Sequence, residues 1–268
     1  MAKSQAVLRE VGTTNRTRIF DYEKAITPNT RLLLRVHRSN FEITGFTEQP
    51  SLEELVALGR KHAVRVMEDL GSGALMDLRN LGLAEPTLYE SLRAGVDVVA
   101  YSGDKMFGGP QAGLLTGAPE LIARIRQNQL FRALRVDKIY YAALEATLRA
   151  YLKEEFDAIP ALCMMRVPAE AVGRRAEGLL AQLHTVSAEV IDGESVIGGG
   201  AAPGSKLPTK LLALSYPGRS ADDLAATLRH GSPPIIARVE KDRVLLDLRT
   251  VFPDQDAKIV DALERISR

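Results

Sequence analysis

Three short apolar runs, Arg31–His37, Ala63–Glu68 and Val96–Tyr101, recur along the early part of the chain, and each ends abruptly in polar side chains. Helix-start signatures lie between them. Ser51 with Glu54, and Thr87 with Glu90, have the spacing of a capping box, in which a hydroxyl and a carboxylate exchange hydrogen bonds with each other's backbone N–H. Leu52, Leu55, Val56 and Gly59 then fall on one helical face, and Gly95 stops the second helix. Strand–helix–strand alternation with short connections predicts a parallel sheet whose neighbours are linked by crossover helices.

The pattern continues less regularly. A short fourth strand, Leu114–Thr116, follows a glycine-rich loop. Pro119 opens a helix with Leu121, Ile122, Ile125 and Gln129 at helical spacing, and Asp137 caps another with Leu144, Leu148 and Tyr151 on one face. The texture changes near residue 155. Phe156–Pro160 and Val167–Pro168 read as a connection, followed by a helix from Ala169 to His184. Short strands at Gly193–Gly198 and Lys210–Tyr216 come next, then a capped helix from Ser220. Ile235–Glu240, the turn Lys241–Asp242 and Arg243–Leu248 make a hairpin, and a last helix starts at about Asp254. The expected organisation is an α/β large domain over residues 1–155, incomplete at its amino end because only about four strands precede the change, and a small α+β domain over 156–268.

Composition narrows the classes of function. Apolar residues make up 46% and charged residues 26% of the chain, an ordinary globular balance that excludes disorder and fibrous rods. The 35 basic and 34 acidic side chains leave a net charge of +1, so no global field draws in DNA, RNA or a membrane surface. The single cysteine, Cys163, excludes an internal disulfide framework, and the four histidines have no metal-ligand spacing. No run approaches the length of a membrane span, and Met1–Glu10 lacks the apolar core of a leader, so a cytoplasmic protein is expected.

Ligands of open parallel sheets bind beyond the carboxyl ends of the strands. Three polar clusters fall there: His37–Asn40, Glu68–Asp69 and Ser102–Lys105. A lysine in a loop is most often solvated. Lys105, however, ends a strand too apolar for a sheet edge and precedes Gly108-Gly109-Pro110, which suits close approach by a ligand or another chain. A partly desolvated lysine is an amine nucleophile able to form a Schiff base. Asp69 is either a loop hydrogen-bonder or the anionic partner of a protonated heterocycle nitrogen. One right-handed crossover separates it from Lys105, which puts both at the same sheet edge. That pair is the constellation used by pyridoxal phosphate, with the Ser102 hydroxyl available to the cofactor phosphate. A P-loop, a dinucleotide fingerprint and a nucleophile elbow are all absent. Gly198–Gly200 reads as a loop rather than a phosphate cradle.

The wording of these segments resembles a known family. Glu10-Val-Gly-Thr-Thr-Asn-Arg16, Val36-His-Arg-Ser-Asn-Phe41, Glu68-Asp-Leu-Gly-Ser-Gly73 and Ser102-Gly-Asp-Lys-Met-Phe-Gly-Gly-Pro-Gln-Ala-Gly113 are similar to bacterial selenocysteine synthase, the L-seryl-tRNA(Sec) selenium transferases. The likeness continues through Leu130–Lys138, Ser195–Gly200 and Val244–Arg249. It implies a fold-type I pyridoxal phosphate enzyme in which Lys105 is the Schiff-base lysine and Asp69 the pyridinium partner. It also implies that Asn40 contacts the ring hydroxyl and that Arg132 and Arg135 bind the substrate anion. Two arginines three apart share a helix face, and a guanidinium fork suits phosphate. The implied reaction converts seryl-tRNA(Sec) to selenocysteinyl-tRNA(Sec) with selenophosphate through a dehydroalanyl intermediate, in a homo-oligomer built from dimers. Family members are longer at the amino end, where a tRNA-binding domain and the first part of the large domain lie. Two alternatives stay open: a lyase of the same superfamily acting on a small amino acid or amino sugar, and an inactive remnant with only an oligomerisation role.

Overall fold

A computed structural model describes residues 5–266, so the first four residues of the Met1–Glu10 stretch lie outside it. The chain divides into two units. One runs to Ile159 and also takes in Gly198–Gly204; the other takes Pro160–Ile197 and resumes at Ser205.

The first unit contains α1 (Ile19–Ala25), β1 (Leu32–Val36), α2 (Leu52–Lys61), β2 (Arg65–Gly71), α3 (Leu88–Ala94), β3 (Val98–Ser102) and β4 (Gly113–Gly117). After these come α4 (Pro119–Gln127), α5 (Gln129–Leu134) and α6 (Lys138–Leu152). The sheet order is β1-β2-β3-β4, with β1–β2 and β2–β3 parallel. Both capping boxes form. Ser51 Oγ accepts from Glu54 N at 3.1 Å, and Thr87 Oγ1 accepts from Glu90 N at 3.3 Å. The Glu54 and Glu90 carboxylates each accept in return from the cap N–H at 2.7 Å. These crossover helices fix the parallel pairing. β4 is instead antiparallel to β3, because the Gly103–Ala112 connection contains no helix and is too short for a crossover.

Burial alternates along β2 and thereby defines two sheet faces. Val66, Glu68 and Leu70 are buried on the side of α2 and α3, packed with Leu33, Leu55, Val56, Leu88 and Val99. Full burial of each of the apolar side chains among these contributes about 1.5–3 kcal/mol relative to exposure. Met67 and Asp69 lie on the opposite face, where α4 and α5 wall a large cavity.

Several expectations need correction. Gln129 does not continue α4: Asn128 takes extended backbone angles, and its side chain accepts from Leu130 N at 2.9 Å, so α5 starts afresh. Leu148 is 45% exposed, while Leu144 and Tyr151 pack in one cluster with Phe107. Helix α1 was not anticipated.

The second unit comprises α7 (Pro160–Arg166), α8 (Ala169–Leu180), β5 (Ser187–Val196), β6 (Lys206–Ser215), α9 (Ala221–Arg229), β7 (Arg238–Glu240), β8 (Arg243–Leu246) and α10 (Asp256–Arg265). Its sheet, in the order β5-β6-β8-β7, is antiparallel throughout. Leu212 and Leu214 of β6 face α8, α9 and α10 in one core, with Val172, Ala176, Leu224 and Leu263. α7 occupies part of the stretch read as a connection, and α8 stops four residues short of His184. Among the described residues no helix is long and apolar enough to cross a membrane.

Candidate active site

The three polar clusters come together at one edge of the first unit's sheet. His37 N donates to the backbone oxygen of Asp69 at 2.8 Å, joining the ends of β1 and β2. Met106 N donates to Ser72 O at 3.0 Å, joining the loop after β2 to the loop that carries Lys105. Gly73 makes the approach possible. A Cβ at this position would stand 2.2 Å from the Ser102 oxygen, and φ is +70°. The Lys105 loop is itself folded tightly, with Gly103 N donating to Ala112 O at 2.8 Å and Gly109 N to Gly103 O at 2.7 Å. Phe107 anchors it from below: the ring is buried against Tyr101 and Tyr151, and the Tyr151 hydroxyl donates to its carbonyl at 3.0 Å. Burial pushes the Tyr151 hydroxyl well above the usual tyrosine range, so it stays a donor.

Asp69 and Ser102 line the cavity of about 1170 Å³ on the open sheet face, together with Ala100, Leu114, Phe131 and Arg135. Lys105 is half-buried beside this edge and makes no ion pair among the described residues. Asn40 is exposed after β1, outside the cavity lining. Arg132 and Arg135 are both exposed, and they do not share a helix face. α5 ends at Leu134, and Arg135 follows as an extended cap whose N–H bonds Phe131 O. Arg135 lines the cavity and Arg132 does not.

Two features near this edge escaped the sequence reading: Gly200, read there only as part of a loop, and Glu85, which reaches the same segment through Ala202. Gly200 lies against Lys105: a Cβ there would be 3.1 Å from both Cε and Nζ of the lysine. Glu85, buried ahead of α3, accepts from His37 Nε2–H at 2.9 Å and from Ala202 N at 3.2 Å. Nothing in the local sequence marks Glu85, since a carboxylate two residues before a helix cap is ordinarily solvated. Two polar atoms at this edge are buried without a partner among the described residues, Glu68 Oε2 and Ser72 Oγ. No group of three or more His, Cys, Asp or Glu able to hold a metal occurs among the described residues.

Comparison with known proteins gives a consistent result. Residues 1–252 match the family described as L-seryl-tRNA selenium transferase. The L-seryl-tRNA(Sec) selenium transferase of Geotalea uraniireducens is 47% identical over 276 aligned residues, covering 100% of this chain and 60% of that protein. That of Carboxydothermus hydrogenoformans is 46% identical, covering 95% of this chain and 56% of that protein. The chain therefore spans a little under two thirds of the relatives' length. Among solved structures, D-glucosaminate-6-phosphate ammonia-lyase superposes with a TM-score of 0.63 at 24% identity, over 97% of this chain and 63% of that one, a likeness of fold.

Proposed function

The chain belongs to the L-seryl-tRNA selenium transferase family, and from that premise we propose that it carries the lysine-bearing half of a pyridoxal 5'-phosphate site. The reaction we assign is conversion of seryl-tRNA(Sec) to selenocysteinyl-tRNA(Sec) with selenophosphate. The observation that carries the reading is the hydrogen bond from Met106 N to Ser72 O, which fastens the amine-bearing loop to the loop after Asp69. The donor set fits the cofactor. An unpaired amine suits its aldehyde, a carboxylate on the cavity face suits its ring nitrogen, and hydroxyls at Ser102 and Ser72 suit its phosphate.

When bound, pyridoxal phosphate supplies an electron sink for a carbanion at the α-carbon of an attached amino acid. Lys105 would hold it through Nζ and, once released, take the α-proton of the seryl group. The Asp69 carboxylate would keep the ring nitrogen protonated, and Asn40 would donate to the ring hydroxyl. Arg135, at the cavity, would hold the selenophosphate anion, for which a guanidinium fork is suited. Exposed Leu130, Leu134 and Ile139 support association of the chain with copies of itself. A cytoplasmic location accords with translation-linked chemistry.

The test is an absorbance spectrum with pyridoxal phosphate, then borohydride trapping and peptide mapping. A visible band with the label on Lys105, lost in Lys105→Ala, is the expected result. A label spread over surface lysines, or one unchanged by that substitution, sinks the assignment. In a full-length context, Lys105→Ala should also abolish selenium transfer to seryl-tRNA.

A further inference from the structure

We propose that Glu85 is a positioning residue that pins the Gly198–Gly204 segment against the Lys105 amine. Glu85 has 5% of its surface exposed, and burying a carboxylate so deeply costs least when both its oxygens are hydrogen-bonded. Both are used, and by segments far apart in sequence: Oε1 by His37 and Oε2 by the backbone N–H of Ala202. Ala201 and Ala202 are buried, and Ala202 holds a φ of +45°, a strained conformation for alanine that persists only where its surroundings fix it. The bond from Glu85 does this. Two residues earlier, Gly200 has a φ of +88°, and its backbone passes so close to Lys105 that a methyl group there would crowd Cε and Nζ at 3.1 Å.

The network is continuous. The backbone of Asp69 is bonded by His37, whose ring is bonded by Glu85, which holds Ala202 and with it the glycine that limits the amine. Glu85 thus sets the freedom of the Lys105 side chain without touching it. The segment restricts the rotamers open to the amine and keeps water from one side of it. The inference rests on the proposed function only for what the amine does.

The experiment uses the chain as it stands and two readouts that need no cofactor: residue-resolved hydrogen exchange over 198–204, and the rate of Lys105 acetylation by N-acetoxysuccinimide. Glu85→Ala should speed exchange at Ala202 by about tenfold and Lys105 acetylation by about threefold or more. Glu85→Gln, whose amide can still accept from Ala202 and donate to His37, should restore both. A folded Glu85→Ala protein with unchanged exchange and acetylation overturns the proposal, as does a Gln variant indistinguishable from the Ala variant. Should Glu85→Ala not fold, the wild-type chain decides. Ala202 exchanging about tenfold more slowly than exposed Gly199 supports the pin, and equal rates overturn it. If the pin holds while pyridoxal phosphate fails to label Lys105, the functional reading falls and the positioning role stands.

Discussion

Arg249 carries its charge with only 6% of its surface exposed, and the second unit is built around satisfying it. Its guanidinium donates to Met164 O at 3.0 Å, Val167 O at 2.5 Å and Pro208 O at 2.7 Å, and Nε donates to Ser195 Oγ at 3.0 Å. The Ser195 hydroxyl donates in turn to Asp247 at 2.6 Å, which also accepts from Thr209 at 3.1 Å and from the Arg249 N–H at 3.0 Å. Burial lowers the Arg249 pKa and Asp247 opposes the shift, yet the group remains a cation at any pH the fold survives. A lysine cannot reproduce the planar fork, and its partners would be left buried and unpaired. Arg249→Lys should therefore cost about 3 kcal/mol in urea denaturation. A loss below about 1 kcal/mol would mean that the carbonyls find water instead. The resemblance reached Val244–Arg249 as wording only; the work of the arginine became visible when its partners, from three separate segments, were brought around it.

Among the elements, those with a terminal signal written locally formed where expected. Ser51 and Thr87 open α2 and α3, Asp137 caps α6 through Ile139 N and Tyr140 N, and Ser220 caps α9 through Asp223 N. Thr87→Ala should lower stability by about 1 kcal/mol, checked by urea denaturation; no loss would show that tertiary packing alone holds α3. α1 was missed because its amphipathic signal is short: no residue of it is buried, and only Ile19, Tyr22 and the following Ile26 lean on the core. α10 carries a pH-sensitive contact. Glu264 accepts from His184 N at 2.7 Å and from Thr185 N at 3.2 Å, and these bonds hold its carboxyl below the ordinary 4.5. A lowered folded pKa means stability that is complete above 4.5 and is lost as pH falls through the folded value. Glu264→Gln should make the melting temperature fall less steeply below pH 4.5; an unchanged slope would assign acid sensitivity to other carboxylates.

For the whole molecule, the decisive fact is that the chain spans 60% of a relative such as the Geotalea protein while matching it along its entire length. Whether this chain holds the proposed cofactor unaided can be read from linkage. A ligand that binds only the folded state stabilises it by about 2.7 kcal/mol at a hundredfold excess over Kd. Pyridoxal phosphate should raise the melting temperature progressively, and Lys105→Ala should blunt the rise. A flat response would mean that the residues gathered at this edge need others to retain the cofactor.

The sequence by itself determined the strand–crossover alternation, the capped helices, the antiparallel second unit and the three polar strand ends, because each depends on periodicity and on contacts within a few residues. It also marked Lys105 and Asp69, since strand ends of a parallel sheet necessarily share an edge. Tertiary structure alone decided three things. It turned β4 antiparallel, because pairing direction depends on how the loop returns. It separated Arg132 from Arg135, because Asn128 restarted the helix and Leu134 ended it. It carried Gly198–Gly204 to Lys105 and tied that segment to Glu85, because a hydrogen bond between residues 117 apart leaves no local trace in either segment.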